Sequence, residues 1–119
     1  MQLITRSIRR RLIANGRIQS CRLKTGQGKL DVKPVVKLFT PDASCTWLLT
    51  ELDPLYPDRA FGICDLGLGR PELGDVSLSE IAQIRGRLGL PVERDIYFSP
   101  TKLLSEYANE AFQRGYIWA

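Results

Sequence analysis

The sequence predicts an α+β fold in a single small domain: an antiparallel sheet of about four strands, with a basic N-terminal helix and two further helices. Three observations lead there. The 119 residues are one domain's worth of chain, enough to bury one core without disulfides. Between residues 35 and 66, β-branched and aromatic runs follow one another through short turns, which favours an antiparallel meander. On either side of that run stand helical periods opened by capping residues.

Thr5 can cap a first helix running to about Asn15, with Ile4, Ile8 and Leu12 as its apolar stripe and Gly16 as its stop. Residues 17–33 hold no sustained period, contain the break Thr25-Gly-Gln-Gly28, and read as a mobile connector. The chain thus divides into a basic N-terminal helix and connector, 1–33, and an α+β body, 34–119. Within the body, 35–40, 45–53 and 60–66 read as three strands. A Gly- and Pro-rich loop over 67–74 comes next, then an extended piece from Val76. Ser77-Leu-Ser-Glu80 has the form of a capping box for a short helix to about Arg85. Residues 92–98 read as a fourth strand, and Ser99-Pro100 as the start of a last helix that Gly115 ends.

Composition narrows the chemistry. With no histidine, Ser-His and Cys-His nucleophiles, imidazole acid–base steps and every His-containing metal site are excluded. Cys21, Cys45 and Cys64 are widely spaced, with no Cys-x-x-Cys pair, and are expected as reduced, mostly buried small hydrophobes. No apolar run approaches the roughly 20 residues of a bilayer span, and no secretory apolar region follows the N-terminal arginines. A cytoplasmic, soluble protein with no membrane partner, no cofactor and no metal is the expectation.

The charge is unevenly placed. The net +4 divides into +8 over residues 1–33, where nine basic side chains face the lone acid Asp31, and −4 over the rest. Arg6, Arg9, Arg10, Arg11, Arg17, Arg22 and Lys24 are therefore candidates for contacting nucleic acid or an acidic partner. A solvated helix face is the plain alternative.

Other candidates are weaker. Gly67-Leu-Gly69-Arg-Pro-Glu-Leu-Gly74 glances at a dinucleotide fingerprint, but Pro71 and Glu72 stand where a helix should present its amides, so an irregular glycine turn is the better reading. Asp65, Arg70, Glu72 and Asp75 on and around that loop are candidates for partner contact. Glu51 or Asp53 could approach Asp65 across adjacent strands, as a carboxylate pair or Mg²⁺ site requires, although acids at strand ends are usually solvated. Tyr116, Ile117 and Trp118 at the C-terminus either pack back on the body or form an adhesive patch.

The strings VVKLFTPDASCTWLLTELDP (35–54), AFGICDLGLGRPELGDVSLSEI (60–81) and GLPVERDIYFSPTKLLSEYA (89–108), with the opening LITRSIRRRLIANGR, resemble the bacterial family called domain of unknown function 2958 over nearly the whole chain. Arg70 departs from the apolar residue more typical of that family's glycine loop, and Trp118 extends past its usual end. The resemblance implies no activity or catalytic residue. It implies a context, since such proteins are typically encoded on plasmids, conjugative elements and phage-like islands. The expected function is then a non-enzymatic binding protein of a mobile element that contacts nucleic acid through its basic segment. The alternative is an inhibitor that occludes a host defence protein, anti-CRISPR or antirestriction.

Overall fold

The computed structural model describes residues 2–119. In chain order it holds α1 (Arg6–Lys24), β1 (Val36–Phe39), β2 (Thr46–Leu52), β3 (Arg59–Asp65), β4 (Glu72–Ser77), α2 (Leu78–Gln83), β5 (Glu93–Arg94) and α3 (Leu104–Arg114). The strands form one antiparallel sheet in the order β4-β3-β2-β1-β5. The α+β class, the meander and the three helices are as the sequence predicts; the fifth strand is new. The extended piece at Val76 is a full strand, β4, which takes in Glu72, Leu73 and Gly74 and shortens the glycine loop. Of the strand expected over 92–98, only Glu93–Arg94 pairs, against Leu38 and Phe39.

Helices cover both faces of the sheet. Leu12 from α1 and Leu78 and Ile81 from α2 pack with Val36, Leu38, Trp47 and Leu49. Leu104, Tyr107, Ala108 and Ala111 from α3 pack with Leu48 and Ile63 on the other face. Strand β2, covered on both sides, is buried at every position after Thr46. Its run WLLTEL lacks strict alternation for that reason.

α1 is longer than its sequence suggests. It runs through Gly16 to Lys24, where Thr25 donates its N–H to Cys21 O and Gly26, turning off at φ 73°, donates its own to Leu23 O. Gly16 is buried in mid-helix because α1 lies directly on the backbone of β2 there, and Asn15 Nδ2 donates to Thr50 O at 2.9 Å. Helix α1 is therefore one layer of the core. The expected mobile connector over 17–33 is corrected twice: its first part is helix, and the rest is pinned. The buried amide of Gln19 holds Leu30 both ways, donating to its carbonyl at 2.7 Å and accepting its N–H at 2.8 Å.

That strap also starts α3. Ser99-Pro100 does not open the helix, which begins at Leu104. Its free first-turn amides are met from outside: Val32 O accepts from Leu104 N at 2.8 Å, and Asp31 accepts from Ser105 N at 3.2 Å and from its hydroxyl. The lone acid of the basic segment is thus a helix cap. At the other end the tail folds back. Ile117 is buried and donates its N–H to Asp65 at 3.0 Å, while Lys37 Nζ reaches Ala119 O at 2.7 Å.

Between Leu49 and Glu51 the β2–β3 register slips by one residue. The slip puts Leu52 opposite Ala60 on the α1 side and turns Glu51 to the α3 side, opposite Phe61. Phe61 in turn pairs Asp75. Glu51, Phe61 and Asp75 consequently form one row across three strands.

Candidate nucleic-acid interface

The outward face of α1 is built by helical spacing. With 100° per residue, Leu12, Gly16 and Gln19 cluster on the buried side. Arg6, Arg10, Arg17 and Lys24 then fall within about 40° of one another on the solvent side, along roughly 27 Å of axis. All four are exposed, as are Arg9 and Arg11, which stand about 80° and 120° off the line in opposite directions, Arg9 toward the Gly16 side, where its charge acts on Asp58. No acid occurs in α1, and none of these six cations is in an ion pair among the described residues. Arg6, Arg9, Arg10 and Arg11 crowd the N-terminal half, where the helix dipole is already positive. The result is a rigid, anion-attracting ridge seated on the core.

Arg22 does not belong to this ridge. Its guanidinium is folded inward, donating to Gly28 O at 3.0 Å and to the Gln27 side chain at 3.2 Å, so it closes the turn after α1. The loop candidates also separate. Asp65 is buried, accepting from Gly67 N at 2.8 Å and from Ile117 N at 3.0 Å. It is a structural tie, which corrects its reading as a partner contact. Arg70, Glu72 and Asp75 stay exposed, with the register placing Glu72 and Asp75 on opposite faces of β4. Asp65 is also withdrawn from any carboxylate set with Glu51 or Asp53, and no group of three His, Cys, Asp or Glu side chains among the described residues could hold a metal ion.

The cysteines split as well. Cys21 is exposed on α1, against expectation, while Cys45 and Cys64 are half-buried against the core. Burial pushes the Cys64 thiol up to about 11, with a hydrogen bond to the Trp47 side chain pulling the other way.

A second site emerges that sequence reasoning missed. Lys29 lays its ammonium 3.0 Å from the centre of the Phe61 ring and 3.4 Å from Glu51 Oε1. Glu51 is only 9% exposed, and that oxygen accepts no hydrogen bond. Burial raises the Glu51 carboxyl above its ordinary range, Lys29 pulls it down, and Asp75 adds to the rise. The signal that could have found this row was the run Leu-Leu-Thr-Glu-Leu, whose alternation works only with a bulge.

A family model described as a protein of unknown function, DUF2958, matches residues 3–118. The chain belongs to that family. No curated protein and no solved structure matches it. The family match runs through Trp118, so the tail is part of this DUF2958 protein's common extent and not an addition to it. No helix among its described residues is long and apolar enough to cross a membrane. What the DUF2958 ridge can do chemically is neutralise phosphates or other anions. It offers guanidinium forks for bidentate contacts, and no aromatic side chain stands among the six cations to stack on a base.

Proposed function

We propose that this protein is a non-enzymatic nucleic-acid-binding protein of a mobile element, with the outer face of α1 as its contact surface. The mobile-element context comes from the family resemblance alone. The observation that carries the binding reading is the line of four exposed cations, Arg6, Arg10, Arg17 and Lys24, without an acid on the same helix or an ion pair to any of them among the described residues. Such a surface positions a phosphate backbone and reads no sequence by itself.

Four phosphates neutralised by Arg6, Arg10, Arg17 and Lys24 give a log–log salt slope of about −3.6, so affinity falls about 150-fold between roughly 50 and 200 mM salt. The test is a fluorescence titration against labelled DNA and RNA over that range, for the intact chain and for Arg10→Gln/Arg17→Gln. Point substitutions are required because deleting α1 would strip Leu12 and its neighbours from the core. The double variant should weaken binding and flatten the slope by about 2. Salt-insensitive binding, or a slope the substitutions leave alone, overturns the reading.

The second reading, a protein-binding inhibitor of a host defence system acting by occlusion, is favoured by one observation. Leu68, Phe112, Tyr116 and Trp118 are exposed where the glycine loop meets the end of α3, with Gly69 O within 3.5 Å of where a Gly115 side chain would start. A partner that co-purifies after nuclease treatment and is lost with Leu68→Ser/Phe112→Ser supports it.

A further inference from the structure

The row Glu51–Phe61–Asp75 lies on the α3 face of the sheet and opens into a cleft that the inner side of α1 also walls, at Gly16, Gln19 and Ser20, and its components have a common chemistry. Two carboxylates flank one aromatic face in direct cross-strand register. A carboxylate beside the electron-rich face of a ring is a receptor for an ammonium group, the ring supplying cation–π attraction and the carboxylate charge-assisted hydrogen bonds. Lys29 occupies it, and occupies it imperfectly. Its ammonium sits over the ring but 3.4 Å from Glu51 Oε1, which is left buried with no hydrogen-bond partner. A buried carboxylate oxygen held by a long ion pair and no well-directed hydrogen bond is under-satisfied, and a group that donates to it at shorter range improves on Lys29.

The space around Lys29 fits an exchange of occupants. A cleft of about 420 Å³ and one of about 190 Å³ both take Lys29, Glu51 and Phe61 as walls, so the lysine stem lies as a bar between them. Leu23, Pro54 and Leu55 line the larger, and Leu30, Leu73 and Leu104 the smaller, giving apolar surface for an alkyl stem. The Lys29 side chain is 40% exposed. It follows Gly26 and Gly28, both at positive φ with nothing packed against them, while the next residue, Leu30, is fixed by Gln19. Lys29 can therefore leave the ring without disturbing the fold around it. With Lys29 withdrawn, Glu51, Asp53 and Asp75 leave the larger cleft negative against Arg59 alone.

We propose that the cleft over Phe61, walled by Glu51 and Asp75, is a binding site for a primary alkylammonium group, and that Lys29 is its tethered resting occupant. The incoming ammonium displaces Lys29, rests on the ring and donates to Glu51 Oε1. A free amine and the side chain of a partner's lysine carry the same head group. They differ at the far end of the stem, which is free in the one and joined to a peptide backbone in the other.

The experiment uses the intact chain and Lys29→Ala, titrated with n-butylammonium chloride and with Nα-acetyl-lysine methylamide by NMR, against sodium chloride at equal ionic strength. In the intact chain Lys29 ε-methylene resonances start shifted upfield by the Phe61 ring, and saturating amine returns them toward free-lysine values. Lys29→Ala removes the tethered competitor and binds either amine about tenfold more tightly or better. Lys29→Ala/Glu51→Gln and Lys29→Ala/Phe61→Leu each lose at least about tenfold. Equal affinity for the two probes assigns the site to small amines, and preference for the lysine derivative assigns it to a protein partner's lysine. The inference is overturned if amine does not move the Lys29 resonances in the intact chain. It is equally overturned if binding to Lys29→Ala survives loss of both Glu51 and Phe61. Neither result touches the reading of α1.

Discussion

Gly16→Ala separates two opposed effects of known size. Alanine in mid-helix is worth about 1 kcal/mol over glycine, so helix propensity alone predicts a gain. The tertiary position predicts a loss. A Cβ on Gly16 would lie 1.8 Å from Leu52 O, 3.0 Å from Leu52 C and 3.3 Å from Pro54 Cδ. Real carbon–oxygen contacts do not fall under 3.0 Å, so α1 must lift more than 1 Å from the backbone of a strand held on both sides. Overpacking of this kind costs roughly 1–3 kcal/mol. Lifting also strains the 2.9 Å bond from Asn15 to Thr50 O, worth about 1 kcal/mol. Subtracting the helical gain leaves a net loss near 2 kcal/mol, or about 8 °C in Tm for a chain of this length. Urea and thermal unfolding followed by far-ultraviolet circular dichroism measure it, with Gly74→Ala as the control. Gly74 has nothing within 4 Å of its would-be Cβ, so that change should stay within about 0.5 kcal/mol of the parent. A Gly16→Ala protein as stable as the parent would refute the seating of α1 on β2.

Thiol reactivity should divide the cysteines as burial does. With the Cys64 thiol at about 11, only about one molecule in a thousand carries the thiolate at pH 8, and the Cys45 thiol is raised too, so native protein should give one fast thiol, Cys21, and three in urea. Two fast thiols in the native state would contradict the packing. Glu51→Gln should change the pH dependence of stability in a defined direction. Because the folded carboxyl binds its proton more tightly than the ordinary 4.5, the parent keeps Glu51's full contribution below that value and loses it as pH rises through the raised one. Relative to Glu51→Gln the parent should therefore weaken as pH rises above about 4.5 in urea titrations, and parallel curves would refute the upward shift.

The class of the fold was legible because it depends on patterning over many residues: a meander of short strands between two periodic helices survives errors at any one position. The misreadings share a cause, which is that a local signal was overruled by a partner distant in sequence. Gly16 looks like a helix stop, yet it is where another strand's backbone comes close. Ser99-Pro100 has the chemistry of a helix start, but the cap comes from Asp31, 74 residues from Ser105. Arg22 counts as one more positive charge until its bonds to Gln27 and Gly28 take it out of the ridge. The row of Glu51, Phe61 and Asp75 depends on a one-residue slip that no composition records, and Lys29 joins it only through the path of the strap. Arg6, Arg10 and Arg11 were legible as solvent-facing for the opposite reason: their placement needs nothing beyond helical spacing and the position of Leu12.

The three helices of this chain do not obey one rule of charge placement, and the exception falls where binding is proposed. Acids favour a helix N-terminus and bases a C-terminus, each by about 0.3–1 kcal/mol. α3 follows the rule at both ends, with Glu106 in its first turn and Arg114 in its last. α2 follows it with Glu80. α1 obeys it at its C-terminal end with Arg22 and Lys24, but breaks it at the start, where the first turn holds no acid and Arg6 and Arg9 meet the positive pole. The cost is tolerable because Leu12 and the apolar residues around it hold the helix on the sheet whatever its surface carries. Stability alone would place a carboxylate in that first turn, as it does in the other two helices. A local rule broken in one helix and kept in the others is the pattern expected where a surface answers to a ligand, and under the proposed function the ligand of cations stacked on a positive dipole is an anion.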